Sequence, residues 1–396
     1  MKQFDFLILG AGIFGITTAI ELSRRKHRVG VLNPDQIPHP LAASTDISKV
    51  VRMEYGTDEE YMDMAIDSME GWRAWNEVFD RPLYHETGYL VLTTDVLESD
   101  FESYAGASYV NLLKRGYHPQ RLDQQLLTAM FPAFNSEVYR DGFYNSVGGY
   151  VESGRVIEEL TSYARSMGVD VHEGQTAQEL QIENNTITGV KTREGMHVEA
   201  GHVIVCAGNF TPYLLPELQA YMRITGHPVF HLRPELTASF TPPDFSVFAA
   251  DIQNSGWYGF PYHPLAQVVK VANHGVGTSI NPEKDERIVT ADHEKHLRDF
   301  LKISIPSLAE APLVYTRLCC YTDTLDGHFW IDQHPEIKHL TVATGGSGHA
   351  FKMGPMLGEM IADTAEGQRH KWSARYSWRE LSKDTVQEEE ARYKKT

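Results

Sequence analysis

The first thirty residues contain two apolar runs on either side of an amphipathic segment. Residues 4–9 and 29–32 are mostly apolar, whereas residues 13–25 place apolar side chains at helical spacing. This order predicts a strand, a helix and a second strand, which is the βαβ unit of a parallel sheet. The loop between the first strand and the helix has the sequence GAGIFG at residues 10–15.

The pattern further along the chain predicts more helices and short strands. Helical spacing is found at residues 68–78, 155–167, 293–301 and 356–365. Short apolar runs predict strands at residues 169–172, 179–182, 188–192, 203–206 and 340–344, with a turn at Asn184 and Asn185. Residues 216–321 are rich in Pro, His and aromatic residues between short apolar runs, which favours an antiparallel sheet. The charged segment from Ser382 onward has no period, so we expect a frayed tail.

Composition and charge exclude several classes of protein. A chain of 396 residues is long enough for two packed domains. Its formal net charge of −17 would repel phosphate backbones, so we expect no nucleic-acid partner. The sequence contains no run of about 18 apolar residues, which predicts that no segment spans a membrane. Only three cysteines and an N-terminus without a signal-peptide pattern favour a cytoplasmic location.

The glycine loop has the spacing and the context of a dinucleotide site. Gly10 permits the turn, Gly12 lets the backbone approach a pyrophosphate, and Gly15 lets the helix pack closely on the sheet. The start of the helix supplies positive potential for the phosphates. An acidic residue at the end of the second strand would hold the ribose, but Asn33 stands there. Either Asn33 or Asp35 can take this role, and an Asn-Pro-Asp turn without ligand contact is the alternative.

Four further segments make the sequence more specific than a glycine loop alone. They are SKVVRMEYG at 48–56, WYGFP with KVANH at 257–274, CCYTDTLDGHFWID at 319–332 and GGSGHAFK at 345–352. In this order and spacing they resemble the monomeric sarcosine oxidase family of flavoproteins. That family includes N-methyltryptophan, pipecolate and saccharopine oxidases and the Amadori (fructosyl amino acid) oxidases. The resemblance covers residues 4 to about 380.

The resemblance implies FAD as the cofactor and a two-domain α/β (α+β) fold. A glutathione-reductase-like Rossmann domain would bind FAD and comprise residues 1–85, 146–215 and 322–382. A substrate domain with a mixed, largely antiparallel sheet would comprise residues 86–145 and 216–321. Residues 383–396 would form the frayed tail. The residues expected to contact FAD are Gly10, Gly12, Ile13, Phe14, Gly15, Asn33, Ser48, Lys49, Cys319, Gly346, Gly348, His349 and Lys352.

The resemblance also implies a covalent flavin. In the family, the cysteine of a Cys-x-Tyr-Thr motif bonds through sulfur to the flavin 8α-methyl group, and Cys319 has this position. A thiolate is the reactive form, and nearby cations favour it. The neighbouring Cys320 is not part of the pattern but stays an alternative attachment site. Both could also be ordinary buried cysteines.

The same resemblance assigns residues to the substrate. Arg52 and Lys352 match two cations that hold the substrate carboxylate, a task suited to a two-pronged guanidinium and a point-charge ammonium. Tyr55 would join this substrate-binding group. Tyr258 and Tyr321 match aromatic residues that line the family's pocket, although either could be part of the core.

Lys270 and His274 match a lysine and a histidine near the flavin. Their separation of four residues places them on one side of a strand. In the family such a lysine activates oxygen, because a fixed cation stabilises the anion that forms when an electron reaches O2. His274 would tune the substrate amine or accept its proton. A satisfied core histidine is the alternative.

One segment distinguishes between branches of the family. The sarcosine branch usually has Arg where this chain has Lys49, and DISKVVR at 46–52 is closer to the Amadori and saccharopine branch. Asp58, Glu59 and Glu60 follow in what we expect to be a solvated acidic loop, with a mobile lid as the alternative.

These features predict a monomeric FAD-dependent amine oxidase that acts on a small secondary-amine amino acid. The substrate would be an N-alkyl, cyclic, opine-like or fructosyl amino acid, oxidised at its C–N bond to an imine that hydrolyses. Oxygen would be reduced to hydrogen peroxide. Two alternatives stay open: a dehydrogenase that passes electrons to a quinone or a protein, and a flavin-binding protein without turnover.

Overall fold

The computed structural model describes residues 3–382 and 387–393. Its strands, in chain order, are β1 Gln3–Leu9, β2 Val29–Leu32, β3 Lys49–Val51, β4 Tyr84–His85, β5 Tyr89–Thr93, β6 Gln120–Arg121, β7 Asp141–Asn145, β8 Gly149–Val151, β9 Asp170–His172, β10 Ala177–Glu183, β11 Thr186–Thr192, β12 His197–Val205, β13 Met222–Leu232, β14 Val247–Ala250, β15 Trp257–His263, β16 Val268–Asn273, β17 Thr278–Ser279, β18 Leu313–Thr324, β19 Trp330–Gln333 and β20 Leu340–Thr344. Its α-helices are α1 Ile13–Arg24, α2 Glu59–Asn76, α3 Tyr104–Lys114, α4 Gln124–Met130, α5 Ser153–Ser166, α6 Thr211–Leu214, α7 Ile252–Ser255, α8 Ala291–Ser304 and α9 Gly354–Ala365.

The first large sheet is parallel at its centre. Its parallel strands lie in the order β9-β2-β1-β12-β20, with β19 antiparallel at the edge and the β10–β11 hairpin continuing from β12. Both faces are buried. Phe6 and Ile8 of β1 pack with α1, α5 and α9 on one face, and Leu7 and Leu9 pack in a separate core on the other face. This explains why the strand is apolar without alternation.

The second large sheet is mostly antiparallel. Its strands run in the order β17-β13-β16-β15-β14-β5-β7-β6, and β18 pairs with β13 along nearly the whole length of both strands. The pair β5–β14 is parallel, which makes the sheet mixed. Leu297, Phe300 and Leu301 of α8 share a buried core with Phe230 and Val271 of this sheet. A small sheet of order β3-β8-β4 is also present.

The first large sheet takes its strands from residues 3–32, 170–205 and 330–344, and the second from residues 89–93, 120–145 and 222–324. These ranges alternate along the chain, so both sheets are assembled from distant segments. The domain boundaries given above stay a prediction.

Two segments differ from the sequence-based expectation. Asp58, Glu59 and Glu60 do not form a loop, because α2 begins at Glu59 and the Asp58 carboxylate caps it by accepting a hydrogen bond from the Tyr61 N–H at 3.1 Å. Acidic side chains stabilise the first turn of a helix through its dipole. The acidic run is therefore a helix start.

The C-terminal segment also departs from the expected frayed tail. Residues 387–393 pack against the body of the protein, by which we mean residues 3–382. Ala391 and Arg392 in this segment are buried. Their partners are distant in sequence, so the local charge pattern does not reveal them. The rest of the predicted tail, residues 383–386 and 394–396, lies outside the described residues. No helix in the described part of the chain is long and apolar enough to cross a membrane.

Candidate active site

The glycine loop forms a tight turn between β1 and α1. Gly10 has a φ of +105°, which side-chain-bearing residues rarely adopt. A Cβ atom on Gly15 would lie 1.9 Å from the carbonyl oxygen of Gly10, so only glycine lets the first turn of α1 come so close to the strand. The first N–H groups of α1 have no acceptor within the helix, so its start offers positive potential next to this turn.

Asn33 braces this turn from the end of β2. Its side-chain oxygen accepts a hydrogen bond from the Ala11 N–H at 3.1 Å, and its side-chain nitrogen donates to the Asp35 carbonyl at 2.8 Å. The Ser44 hydroxyl accepts from the Ile13 N–H at 3.0 Å. Asp35 itself is exposed. Asn33 therefore has a structural task that the sequence does not reveal, and the ribose role of Asn33 or Asp35 stays a prediction.

A continuous cavity of about 720 Å³ runs from the glycine turn to the second large sheet. It begins where β1, β12 and β20 end, which is where ligands bind in open α/β sheets. Nearly all the predicted site residues line it: Gly10, Gly12, Ile13, Phe14, Asn33, Ser48, Lys49, Arg52, Tyr258, Lys270, His274, Cys319, Tyr321, Gly346, Gly348, His349 and Lys352. Gly15 and Tyr55 lie directly behind this lining.

Arg52 follows β3 and is buried in a cluster of aromatic rings. Its guanidinium carbon lies 4.8 Å from the ring centre of Tyr55 and within 6 Å of the rings of Tyr89 and Tyr104. The rings can stabilise the cation through their π faces. One guanidinium nitrogen, Nη1, is buried without a hydrogen-bond partner among the described residues. The side chain is thus held in place with a donor still available to a ligand.

Lys352 is buried beside Arg52 and is positioned by hydrogen bonds. Its Nζ donates to the Tyr55 hydroxyl at 3.1 Å and to the His349 carbonyl at 3.0 Å. The Tyr55 hydroxyl is 3.2 Å from His349 Nδ1, and His349 Nε2 is 3.1 Å from the Gly327 carbonyl. Burial lowers the pKa of His349 to about 3, so the ring is neutral and can donate from Nε2 and accept at Nδ1. Burial, together with the charge of Arg52, lowers the pKa of Lys352 to about 7.

The carboxylate of Glu389 lies against these cations, and sequence reasoning missed it. It forms an ion pair with Arg52, and its other oxygen is 3.2 Å from His274 Nε2. Both Arg52 and Glu389 side chains are 4% exposed. Burial disfavours both charges, but each holds the other ionised, so the pKa of Glu389 falls well below its usual value and that of Arg52 rises.

Lys270 has a partner that the sequence did not predict. Its Nζ lies 2.8 Å from Asp46 Oδ2 and 2.5 Å from the Ser48 carbonyl, and both charged side chains are 3% exposed. Burial lowers the pKa of Lys270 to about 8, although Asp46 favours its charged form. The buried lysine is thereby paired while its side chain still lines the cavity.

Cys319 and Tyr321 project from the same side of β18, as alternate residues of a strand do. Cys319, Tyr321, Ala272 and Val229 form a small core with Tyr258 packed against it. Cys319 lines the cavity, whereas Cys320 is not among the lining residues and is 0% exposed.

Tyr321 stacks on His227 with ring centres 4.0 Å apart. Burial lowers the pKa of His274, which keeps this ring neutral at ordinary pH.

Comparison with known proteins decides the family. Residues 5–364 match the model of the FAD dependent oxidoreductase (DAO) family. The chain belongs to this family. It is 28% identical to L-saccharopine oxidase of Schizosaccharomyces pombe, over 95% of this chain and 93% of that protein. It is 26% identical to monomeric sarcosine oxidase of a Bacillus species, over 92% of both proteins.

Solved structures show the same fold. The fructosamine oxidase Amadoriase II of Aspergillus fumigatus superposes with a TM-score of 0.83 at 24% identity, over all of this chain and 94% of that chain. The expected flavoenzyme fold and the FAD-dependent oxidoreductase activity are thus confirmed. The covalent linkage and the roles of individual site residues stay predictions.

The residues of this member of the DAO family fit FAD. The Gly10–Gly15 turn leaves room at the start of α1 for a pyrophosphate, and the cavity continues from there between the two large sheets. The hydroxyls of Ser48 and Thr344, both in residues that line this cavity, are buried without hydrogen-bond partners among the described residues. Buried hydroxyls normally have partners, so these two are available to a bound cofactor.

Proposed function

We propose that the protein is an FAD-dependent oxidase of secondary-amine amino acids that produces hydrogen peroxide. The observation that carries this proposal is the buried pair Arg52 and Lys352, which face the same cavity as the glycine turn. Burying two cations side by side is unfavourable unless an anion joins them. In this structure the Glu389 carboxylate meets that need, and a substrate carboxylate in the same place would meet it equally. Relatives named as oxidases of L-saccharopine and sarcosine, and a structural neighbour named as a fructosamine oxidase, support this substrate class.

Each residue in the pocket has a task that its environment supports. Arg52 and Lys352 bind the carboxylate and thereby fix the substrate amine relative to the aromatic walls of Tyr258 and Tyr321. His274 is neutral and is the candidate acceptor for the proton of the substrate ammonium. Bound FAD supplies the two-electron acceptor that oxidation of a C–N bond needs. Lys270 supplies a fixed positive charge for the reaction with oxygen. The resulting imine hydrolyses to an aldehyde or ketone and an amine.

A substrate panel tests the proposal. N-methyl, cyclic, opine-like and fructosyl amino acids are assayed for peroxide, each beside its carboxamide. Because charge-assisted hydrogen bonds contribute about 1.5–3 kcal/mol each, we expect the acid to exceed its amide by about 10- to 100-fold in kcat/KM. Arg52→Gln and Lys352→Met should each remove most of this difference. Lys371→Met is the matched control, because Lys371 is 62% exposed and pairs with Asp67.

The outcomes separate the alternatives. Equal rates for an acid and its amide contradict the carboxylate clamp. Reduction of the enzyme by substrate without oxygen consumption identifies a dehydrogenase that uses a quinone or a protein acceptor. The expectations of a cytoplasmic location and a monomeric state stay predictions from the sequence.

We also propose that FAD is attached covalently through Cys319. Two observations support Cys319 over Cys320. Cys319 lines the cavity, and it lies near Lys270, whose pKa a Cys319 thiolate would raise against the effect of burial. Acid-precipitated protein should be yellow. Cys319→Ala should release the colour into the supernatant, and Cys320→Ala should not. Colour that leaves the wild-type protein on acid treatment would contradict the linkage.

A further inference from the structure

The C-terminal segment 387–393 is bound to the body by charges. Glu388 pairs with Arg223, Glu389 with Arg52, and Arg392 with Asp323 at 2.9 Å. Among the described residues, Arg52, Arg223 and Asp323 have no other ion-pair partner of opposite charge. Three charges of the body therefore depend on this one segment for compensation.

Arg392 anchors the segment against residues of β13 and β18 and of the chain that follows β16. Its guanidinium is 2% exposed, donates to the Gly275 carbonyl at 2.9 Å, and lies 3.1 Å from His227 Nε2. The Tyr393 N–H donates to the His274 carbonyl at 3.0 Å. The segment is thus seated by specific side-chain and backbone contacts around the candidate active site.

Glu389 has the position that a substrate carboxylate would need. Its side chain is a carboxylate on Arg52, close to Lys352, within 3.2 Å of the ring nitrogen of His274. Glu389 holds Nη2 of Arg52 and leaves Nη1 unpaired, so a substrate carboxylate that used both nitrogens would meet the Glu389 carboxylate with strong repulsion in a buried site. Substrate and Glu389 must therefore exclude each other.

We propose that residues 387–393 form an internal competitor of the substrate, in which Glu389 imitates the substrate carboxylate and has to leave before an amino acid binds. This inference rests on the proposed carboxylate clamp. A tethered group acts at an effective concentration of about millimolar, so it competes well with a free amino acid of similar affinity. The segment sets a minimum affinity for ligands of this site, because carboxylates that bind Arg52 and Lys352 weakly do not displace Glu389.

The first test compares two neighbouring glutamates. Acetate is titrated into the oxidised FAD-loaded protein, and the change in flavin absorbance gives its Kd, with acetamide as the uncharged probe. Glu389→Gln removes the competing charge and should bind acetate about 10- to 100-fold more tightly than wild type, with acetamide unchanged. Glu390→Gln is the matched control, because the hydrogen bonds of the Glu390 carboxylate among the described residues go to the Thr57 hydroxyl and N–H and to no cation. An unchanged acetate Kd in Glu389→Gln overturns the inference.

A reversible lock provides the second test. A Cβ atom on Gly56 would lie 3.4 Å from the Cβ of Glu390, close to the separation found in disulfides. With its disulfide formed, Gly56→Cys/Glu390→Cys should lose acetate binding. Its flavin should be reduced by substrate at least about tenfold more slowly than in the wild-type protein. Dithiothreitol should restore both properties, and Gly56→Cys alone should not respond to it. A locked protein that binds acetate normally would show that the segment is a permanent wall of the pocket, and the inference would be wrong.

Arg52→Gln distinguishes failure of this inference from failure of the clamp. If Arg52→Gln, introduced into Glu389→Gln, abolishes the gain in acetate affinity, both proposals are supported. If Arg52→Gln weakens acetate binding but Glu389→Gln does not strengthen it, the clamp stands and the competitor is refuted. If Arg52→Gln has no effect on acetate, the clamp itself is refuted.

Discussion

The glycine turn at one end of the cavity and the Arg52–Lys352 cluster at the other are built in different ways. The turn is made of backbone, and its residues are neighbours in sequence. Its side-chain hydrogen bonds are satisfied, as the bracing of Ala11 by Asn33 shows. The cluster consists of charged side chains from distant segments, and both of its cations are buried.

This difference predicts opposite effects on stability. Close backbone packing at the turn shapes both the fold and the proposed cofactor site, so we expect a substitution there to harm both. Burial of Lys352 disfavours the charged form that the proposed carboxylate clamp needs, which is the trade-off expected between stability and function. Removing that charge should therefore stabilise the protein and abolish function. Three predictions use this contrast.

The largest effect is expected at Gly15. Gly15→Ala would place a Cβ atom 1.9 Å from the Gly10 carbonyl oxygen, which is backbone and cannot move aside. The intrinsic preference of a helix for Ala over Gly is worth about 1 kcal/mol. Overpacking typically costs about 1–3 kcal/mol, and a contact this short with backbone belongs above that range, so the clash outweighs the gain. We expect a large loss of thermal stability and little bound FAD, measured by melting temperature and by the flavin-to-protein absorbance ratio.

Gly116→Ala is the control for this substitution. Gly116 has a φ of +78°, but a Cβ atom there would meet nothing within 4 Å. It should lose about 1 kcal/mol from the backbone conformation alone and keep its FAD. Normal FAD content in Gly15→Ala would show that the turn does not need this close approach.

Lys270 tests whether a buried charge can serve both the fold and the reaction. Lys270→Met should leave anaerobic reduction by substrate nearly unchanged and slow the reaction of the reduced enzyme with oxygen by about 10²- to 10³-fold. It should also destabilise the fold by about 3–5 kcal/mol, because the buried Asp46 carboxylate loses the Lys270 ammonium that lies 2.8 Å away. Stopped-flow traces separate the two half-reactions.

The double variant Asp46→Asn/Lys270→Met separates the two roles. It removes both charges and should recover most of the stability while oxygen reactivity stays low. Recovery of oxygen reactivity together with stability would mean that Lys270 is structural. Slower reduction by substrate, with normal reoxidation, would place Lys270 in substrate binding.

The contrast between the two ends also explains what could be predicted from the sequence. The turn was predictable because Gly10, Gly12 and Gly15 act on their immediate neighbours. The sheets followed from apolar runs, and β20 has the predicted bounds. Asp46 and Glu389 were not predicted as partners, because 224 residues separate Asp46 from Lys270 and 337 residues separate Arg52 from Glu389. A charged segment without a period has the composition of a disordered tail until its partners are known.

Substitution of Lys352 is expected to have the smallest effect on the free energy of unfolding. Its sign is opposite to that of Gly15→Ala. The pKa of Lys352 is lowered from 10.5 to about 7, by burial first and then by Arg52. Below about pH 7 the lysine is charged in both the folded and the unfolded protein. The whole free-energy cost of burying this charge then opposes folding. Between about pH 7 and 10.5 the folded protein holds it neutral while the unfolded chain stays protonated, so the penalty declines with rising pH. Lys352→Met lacks this penalty and should be the more stable protein by a few kcal/mol near neutral pH.

The expected signature is a stability gap that depends on pH. Denaturant unfolding of both proteins at several pH values should show the gap between Lys352→Met and wild type narrowing by up to about 1.4 kcal/mol per pH unit above pH 7. The other charged groups near Lys352 do not produce this slope, because Arg52 stays protonated, Glu389 stays ionised and His349 stays neutral in this range. The exposed Lys371→Met should show a gap near zero at every pH. A stability gap that does not change with pH would mean that burial does not lower the pKa of Lys352. The two ends of the cavity would then differ in their packing but not in the stability cost of a buried charge.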